Sequence, residues 1–179
     1  FSSPFDEKAI DLLESLNCPA YKVASAEINH VPLLEKLART RKPIILSIGL
    51  ANLNEIKLAV NTLRKNGNNK ILILQCVSSY PSPLEEQNLI KIQEIKKKFK
   101  CLSGLSDHTV DNLAPIISVS LGASIIEKHF NLDDRIKTVD SFFALSAKKF
   151  SKMVNDIRKV EKTIGNPNFE LSKSSKKNL

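Results

Sequence analysis

Ile71-Leu72-Ile73-Leu74-Gln75-Cys76-Val77-Ser78-Ser79 is the stretch that decides the fold. Four consecutive apolar residues, with no polar alternation, fit a strand buried on both faces, as in a parallel sheet covered by helices. The run then ends on two hydroxyls. Four further β-rich runs surround it, Tyr21–Ser25, Pro43–Ser47, Leu102–Ser106 and Ser124–Phe130.

Between these runs, apolar residues recur at helical spacing. Ile10, Leu13 and Leu16 mark a helix over about 6–16, with Asp6 as its cap. Leu33, Leu34 and Leu37 mark one over 32–40. Asn52 caps a third that carries Ile56, Ala59, Val60 and Leu63 and stops at Asn66-Gly67. A fourth is expected over 84–99 from Leu89, Ile92, Ile95 and Phe99, and a fifth over 111–121. The last starts near Ser146, shows Phe150, Met153, Val154, Ile157, Val160 and Ile164, and closes at Gly165-Asn166-Pro167.

Strands alternating with helices imply an α/β protein with parallel pairing and right-handed crossovers. A doubly wound sheet and a closed (β/α)8 TIM-type barrel both satisfy that order. The polar residues separate them. Nearly every run ends in chemistry: Ser25 and Glu27, Ser47, Ser78 and Ser79, Ser106 to His108, Glu127 to His129. A barrel gathers such residues from many strand C-termini on one face, whereas a doubly wound sheet concentrates them at its switch point. Neither GxGxxG nor a Walker motif occurs. The expectation is a barrel, with about six βα units if Phe1–Phe5 is counted as a strand end, two short of closure. Residues 1–165 would form the partial barrel and residues 166–179 a polar, lysine-rich tail.

Composition narrows the function. Of 179 residues, 42% are hydrophobic and 26% charged, as in ordinary globular proteins. The net charge of +8 raises nucleic acid as a partner, but the lysines sit on outward helix positions (Lys91, Lys96, Lys97, Lys98, Lys100) or in the tail, without interleaved aromatics. An anionic small substrate fits better. Three cysteines without CxxC spacing argue against a disulfide framework and for a reducing cytoplasm. No apolar run reaches membrane-span length.

Of three histidines, His108 follows one strand and His129 ends the next, twenty-one residues later. Both imidazoles would lie at the same end of neighbouring strands, where they could share a divalent cation or serve as ordinary core histidines. His30 lacks such neighbours and reads as a loop residue. Lys22 lies inside an apolar run and must reach an anion, form a Schiff base or snorkel at a strand edge. Glu27 could act as acid or base, or be a surface carboxylate. Ser25, Ser47, Ser78 and Ser106 offer hydroxyls around a small anionic ligand.

Five ordered segments resemble the sialic-acid synthase family. They are Tyr21-Lys22-Val23-Ala24-Ser25-Ala26-Glu27-Ile28-Asn29, Lys42–Ser47, Cys76–Pro81, Gly104–Thr109 and Ile126–Phe130, and the opening Phe1–Phe5 agrees with them. Within the family, Asp140-Ser141-Phe142-Phe143 is similar to a segment of the pseudaminic acid synthases. Ile48-Gly49-Leu50 and Ala144 depart from the usual pattern.

The resemblance implies condensation of phosphoenolpyruvate with an open-chain acetamido sugar, a 6-deoxy-diacetamido hexose, to a nine-carbon acid with release of phosphate. N-acetylneuraminate and legionaminate synthases are the alternatives within the family. His108 and His129 would hold Mn²⁺, or Mg²⁺ or Co²⁺. Lys22, Ser25, Ser47, Ser78 and Ser106 match phosphoenolpyruvate-binding positions. Glu27 matches a carboxylate near the reacting carbons, and Tyr80 and Asp140 match sugar-side positions. The resemblance also implies a homodimer for a full-length protein, an early strand and a C-terminal domain outside this chain, and little turnover by this chain alone. Two other readings remain: a Schiff-base aldolase using Lys22 or Lys128, and a non-catalytic remnant that keeps ligand or metal binding.

Overall fold

A computed structural model of the chain describes residues 1–133 and 135–178. Its centre is a curled parallel sheet of five strands in sequential order, an arc resembling half a barrel. The strands are β1 (Tyr21–Val23), β2 (Ile44–Ser47), β3 (Ile71–Cys76), β4 (Leu102–Asp107) and β5 (Ile126–Lys128). Ser2 adds an isolated parallel bridge to Tyr21, with Lys22 N donating to Ser2 O at 2.9 Å. A separate parallel pair joins β6 (Phe130–Asn131) to β7 (Leu145–Ser146).

Helices α1 (Glu7–Ser15), α2 (Val31–Arg39), α3 (Leu53–Lys65), α4 (Lys91–Phe99), α5 (Leu113–Ser120) and α6 (Ala147–Ile164) alternate with the strands. Their starts follow local chemistry. The Asp6 carboxylate accepts from Ala9 N at 2.7 Å, and Asn52 and Glu55 form a reciprocal capping box.

Parity along the strands divides the sheet into two faces. Tyr21, Val23, Ile44, Leu46, Ile71 and Ile73 point outward and pack with Leu33, Leu34, Leu37, Ile56, Val60 and Leu63 of the helices in one buried core. Ile45, Leu72 and Leu74 form a second cluster on the concave face. Register extends that face across the sheet through the pairs Lys22↔Ile45, Ser47↔Leu74, Leu74↔Gly104, Cys76↔Ser106 and Ser106↔Glu127.

Three boundaries differ from the sequence expectation. The helix expected from residue 84 begins only at Lys91, preceded by a short 3-10 turn at Leu84–Glu86. Buried Gln87 is the cause: its side-chain amide nitrogen donates to Ser82 Oγ and Pro83 O, and its backbone carbonyl accepts from the Gln75 side chain, which turns the backbone away from a helix before Asn88 takes φ +45°. The helix expected from residue 111 starts at Leu113, because the Asp111 carboxylate turns back to accept from Leu113 N. The strand expected over 124–130 pairs with β4 only at Ile126–Lys128; Phe130 leaves that sheet for β7.

Candidate functional site

The C-terminal end of the concave face gathers most of the residues singled out by the sequence. Lys22, buried on β1, reaches across the sheet to Glu127 Oε1 at 3.2 Å. Ser106 Oγ donates to the same carboxylate oxygen at 2.7 Å. Glu127 thus ties the first strand to the last. Ser47 lies on this face, 2% exposed, and its hydroxyl finds no hydrogen-bond partner among the described residues. A buried orphan hydroxyl costs about 1–3 kcal/mol, so the position favours a polar ligand.

Ser25 and Ser78 border the cluster through Cys76. Ser25 Oγ accepts from Gly49 N at 2.9 Å and lies 3.7 Å from Cys76 Sγ, while Ser78 Oγ is 3.8 Å from that sulfur. Gly49 is required by this packing, since a Cβ there would strike the Ser78 hydroxyl and sit 2.9 Å from Cys76 Sγ.

Beyond the strand ends, the two imidazoles meet. Ring centroids of His108 and His129 are 5.4 Å apart. His108 Nδ1 lies 2.8 Å from the Val77 carbonyl, which can only accept, so in the neutral ring the proton is on Nδ1 and Nε2 carries the lone pair. His129 Nδ1 faces Asp140 Oδ2 at 3.3 Å. An imidazole whose Nδ1 is held by an oxygen acceptor is the usual orientation of a metal-ligating histidine, and both rings have it. The pair therefore fits a divalent cation. Among the described residues no group of three or more His, Cys, Asp or Glu side chains is suited to hold a metal, so further ligands would be substrate oxygens or water.

Tyr80 and Phe143 box in the pair. Tyr80 lies 4.3 Å from the His108 ring and Phe143 4.7 Å from the His129 ring, with 5.5 Å between them.

Titration behaviour separates the two histidines. Burial works against the charged form of His108, but bonding to Cys76 and to the Val77 carbonyl outweighs it, and its pKa lies above the ordinary value. Burial, then the neighbouring His108, presses His129 below the ordinary value against the pull of Asp140 and Glu127. Burial pushes the Cys76 thiol up, yet His108, Ser25 and Ser78 together bring it below the ordinary thiol.

Glu27 is the outlier. It sits in a 3-10 turn (Ser25–Glu27), and its carboxylate faces His30 Nδ1 at 3.5 Å, not the cluster. Sequence reasoning assigned no individual role to Glu127, although it ends a strand run, or to Cys76 and Phe143. Strand parity could have found Glu127, because it shares a face with His129 two residues on. Phe143 lies in the Asp140–Phe143 segment that carried the family resemblance, but no local pattern marks it as a neighbour of the rings, which it reaches through a loop. Lys128 carries no free amine for a Schiff base: its ammonium is buried against Asp107 Oδ2 at 2.5 Å.

A parallel α/β sheet with polar residues converging at its strand C-termini defines a class of enzyme-like folds, and comparison with known proteins narrows it. The NeuB family model matches residues 1–169, and the chain belongs to the NeuB family. It is 47% identical over 165 residues to the pseudaminic acid synthase of Helicobacter pylori, covering 92% of this chain and 48% of that protein. It is 41% identical over 180 residues to the N,N'-diacetyllegionaminic acid synthase of Campylobacter jejuni, covering 99% and 54%. Among solved structures, the N-acetylneuraminic acid synthetase of Leptospira borgpetersenii, in complex with citrate, superposes with a TM-score of 0.91 at 32% identity, over 98% of this chain and 61% of that one. The chain spans about half the length of the curated relatives it matches. No helix among the described residues is long and apolar enough to cross a membrane.

Proposed function

We propose that this chain carries the phosphoenolpyruvate and cation sites of a sugar-condensing synthase that joins phosphoenolpyruvate to an acetamido sugar and releases phosphate. The observation that carries the reading is the layered concave face. A buried lysine, an orphan hydroxyl and a serine–glutamate pair lie beneath two imidazoles whose Nδ1 atoms are both held.

In this reading Lys22 and the hydroxyls of Ser25, Ser47, Ser78 and Ser106 bind the carboxylate and phosphate of phosphoenolpyruvate. An incoming anion would take over the Lys22 ammonium from Glu127, leaving Glu127 free to hold or move a proton beside Ser106. His108 and His129 would hold Mn²⁺, or Mg²⁺ or Co²⁺, which supplies Lewis-acid polarisation of the sugar aldehyde when bound. Asp140 orients His129 and, with Tyr80, borders the space open to the sugar. Glu27 would need to swing away from His30 to join them.

The chemistry is C–C bond formation between C3 of phosphoenolpyruvate and the aldehyde carbon, addition of water at C2, and loss of phosphate by C–O cleavage. A 6-deoxy-diacetamido hexose is the sugar proposed; the N-acetylneuraminate and legionaminate reactions share every step named here. Closure into an eight-stranded barrel, a homodimer and residence in the cytoplasm belong to the same proposal. The three cysteines, all free thiols, are in keeping with the last.

Titration calorimetry with phosphoenolpyruvate and, separately, with Mn²⁺ tests the reading. Lys22→Met should weaken phosphoenolpyruvate at least tenfold and leave Mn²⁺ affinity within twofold; His108→Ala or His129→Ala should do the reverse. Phosphoenolpyruvate binding indifferent to Lys22→Met, or borohydride trapping of pyruvate on Lys22, would sink it.

A further inference from the structure

Directly beneath the two imidazoles, on the opposite face of the sheet, lies a buried ion pair that the proposed chemistry does not use. Asp107 closes β4 and Lys128 closes β5, and the two are register partners. Their side chains are 0% and 1% exposed, and Lys128 Nζ meets Asp107 Oδ2 at 2.5 Å. The ammonium also donates to Thr109 O at 2.6 Å and lies 3.4 Å from Thr109 Oγ1. Asp107 in turn accepts from Thr109 N at 2.9 Å and from Thr109 Oγ1 at 3.1 Å. Every charged group in this network is satisfied within residues 107–109 and 128, the immediate neighbours of His108 and His129.

The apolar pattern does not fix this edge of the sheet. β5 has three residues, all only partly buried, and only three registered pairs with β4. Ile125 and Ile126 are both apolar, so sliding the strand by one residue exchanges one isoleucine for the other at little hydrophobic cost. Yet such a slip turns every side chain to the opposite face. Lys128 would then point into the concave side and His129 away from His108. In the native register alone do the carboxylate and ammonium meet; in the slipped one Asp107 is left buried without its partner. A buried pair adds little net stability over apolar residues of the same shape, and its best-attested use is to specify one arrangement.

We infer that Asp107–Lys128 is a positioning pair that locks the β4–β5 register and thereby holds His129 beside His108. The functional importance of that juxtaposition rests on the cation-site reading above; the register claim itself does not.

The test is the double variant Asp107→Leu/Lys128→Met, which removes both charges, strands neither and leaves net charge unchanged. Two readouts are taken: the nuclear Overhauser contact between the His108 and His129 ring protons without metal, and Co²⁺ affinity from its absorption spectrum. A folded double variant, by circular dichroism and melting, should lose the ring contact and bind Co²⁺ at least tenfold more weakly than wild type. Retention of both in the folded variant overturns the inference, because a purely stabilising pair would change melting alone. Loss of the ring contact in the variant, with no Co²⁺ bound by wild type, upholds the positioning pair and removes the cation site instead. If the double variant does not fold, Thr109→Val decides. It should weaken the ring contact and lower Co²⁺ affinity about threefold, and an unchanged contact rejects the inference.

Discussion

At the scale of single residues, some charges tie elements of the fold together, and others belong to the proposed ligand site. Glu14 is of the first kind. Its carboxylate accepts from the Lys42 ammonium at 2.6 Å and from the buried Tyr21 phenol. The Lys42 bond, then the Tyr21 bond, hold its pKa below the ordinary carboxylate value, and burial followed by Glu14 pushes the Tyr21 phenol up. A carboxyl depressed in the folded state contributes stability that is full above its unfolded pKa and lost as pH falls through the folded one. Glu14→Gln should therefore lower the melting temperature at pH 7, and the gap to wild type should close below about pH 4. Side-chain exposure of 38% at Glu14 means solvent screening limits the effect to ~1 kcal/mol or less. Melting curves between pH 3 and 7 check the sign. Lys22 contrasts with Glu14: its carboxylate partner among the described residues is Glu127, and under the proposed anion site Lys22→Met should cost phosphoenolpyruvate affinity far more than stability.

At the scale of elements, one glycine sets how closely β4 and the chain entering β5 approach. Gly104 sits mid-β4 on the concave face, where an added Cβ would strike the Ile125 carbonyl and lie 2.8 Å from Leu74 Cδ2. Backbone cannot yield as a side-chain tip can. Gly104→Ala should destabilise by about 1–3 kcal/mol as overpacking does, read by urea denaturation. It should also spread β4 from β5, so the His108–His129 ring contact should weaken in the same variant. A stable Gly104→Ala protein with that contact intact would contradict this packing account. The α3 cap is a control at the same scale. Asn52→Ala should cost about 1 kcal/mol and leave the ring contact untouched.

At the scale of the whole molecule, the arc of the sheet leaves an open recess at the end opposite the imidazoles. Its volume is about 1070 Å³, and Phe1, Ile45, Leu72, Leu102 and Ile125 line it, with Lys96, Lys97 and Lys100 at its rim. It lies at the strand starts and its walls are apolar, away from the polar residues at the strand ends. An apolar wall with a basic rim should bind the anionic dye ANS while circular dichroism reports full native structure. Absence of dye binding would mean that the recess is covered in solution. Residues 166–178 are exposed throughout. Trypsin should therefore cut at Lys173, Lys176 or Lys177 first, with no change in melting temperature; a falling melting temperature would show that the tail packs on the rest.

How much was legible beforehand follows from which interactions are local. The apolar run Ile71–Leu74, the caps at Asp6 and Asn52 and the helical stripes are local patterns, and they dictated the alternating parallel architecture and which ends of the strands carry polar groups. The spacing of His108 and His129 was readable for the same reason, since one helix and one strand separate them. Three things needed tertiary structure. Gln87 broke an expected helix through contacts to Gln75 and Ser82, and Phe143 arrived at the imidazoles through a loop. Glu127 became the bridge between Lys22 and Ser106 because sheet curvature brings the first strand near the last. Sequence by itself determined the order of elements and the residue types at their ends, because those depend on neighbours along the chain. Only folding decided which of those residues touch, because contact across the sheet depends on register and curl, and at the β4–β5 edge the Asp107–Lys128 ion pair and the Ser106–Glu127 bond meet only in the native register.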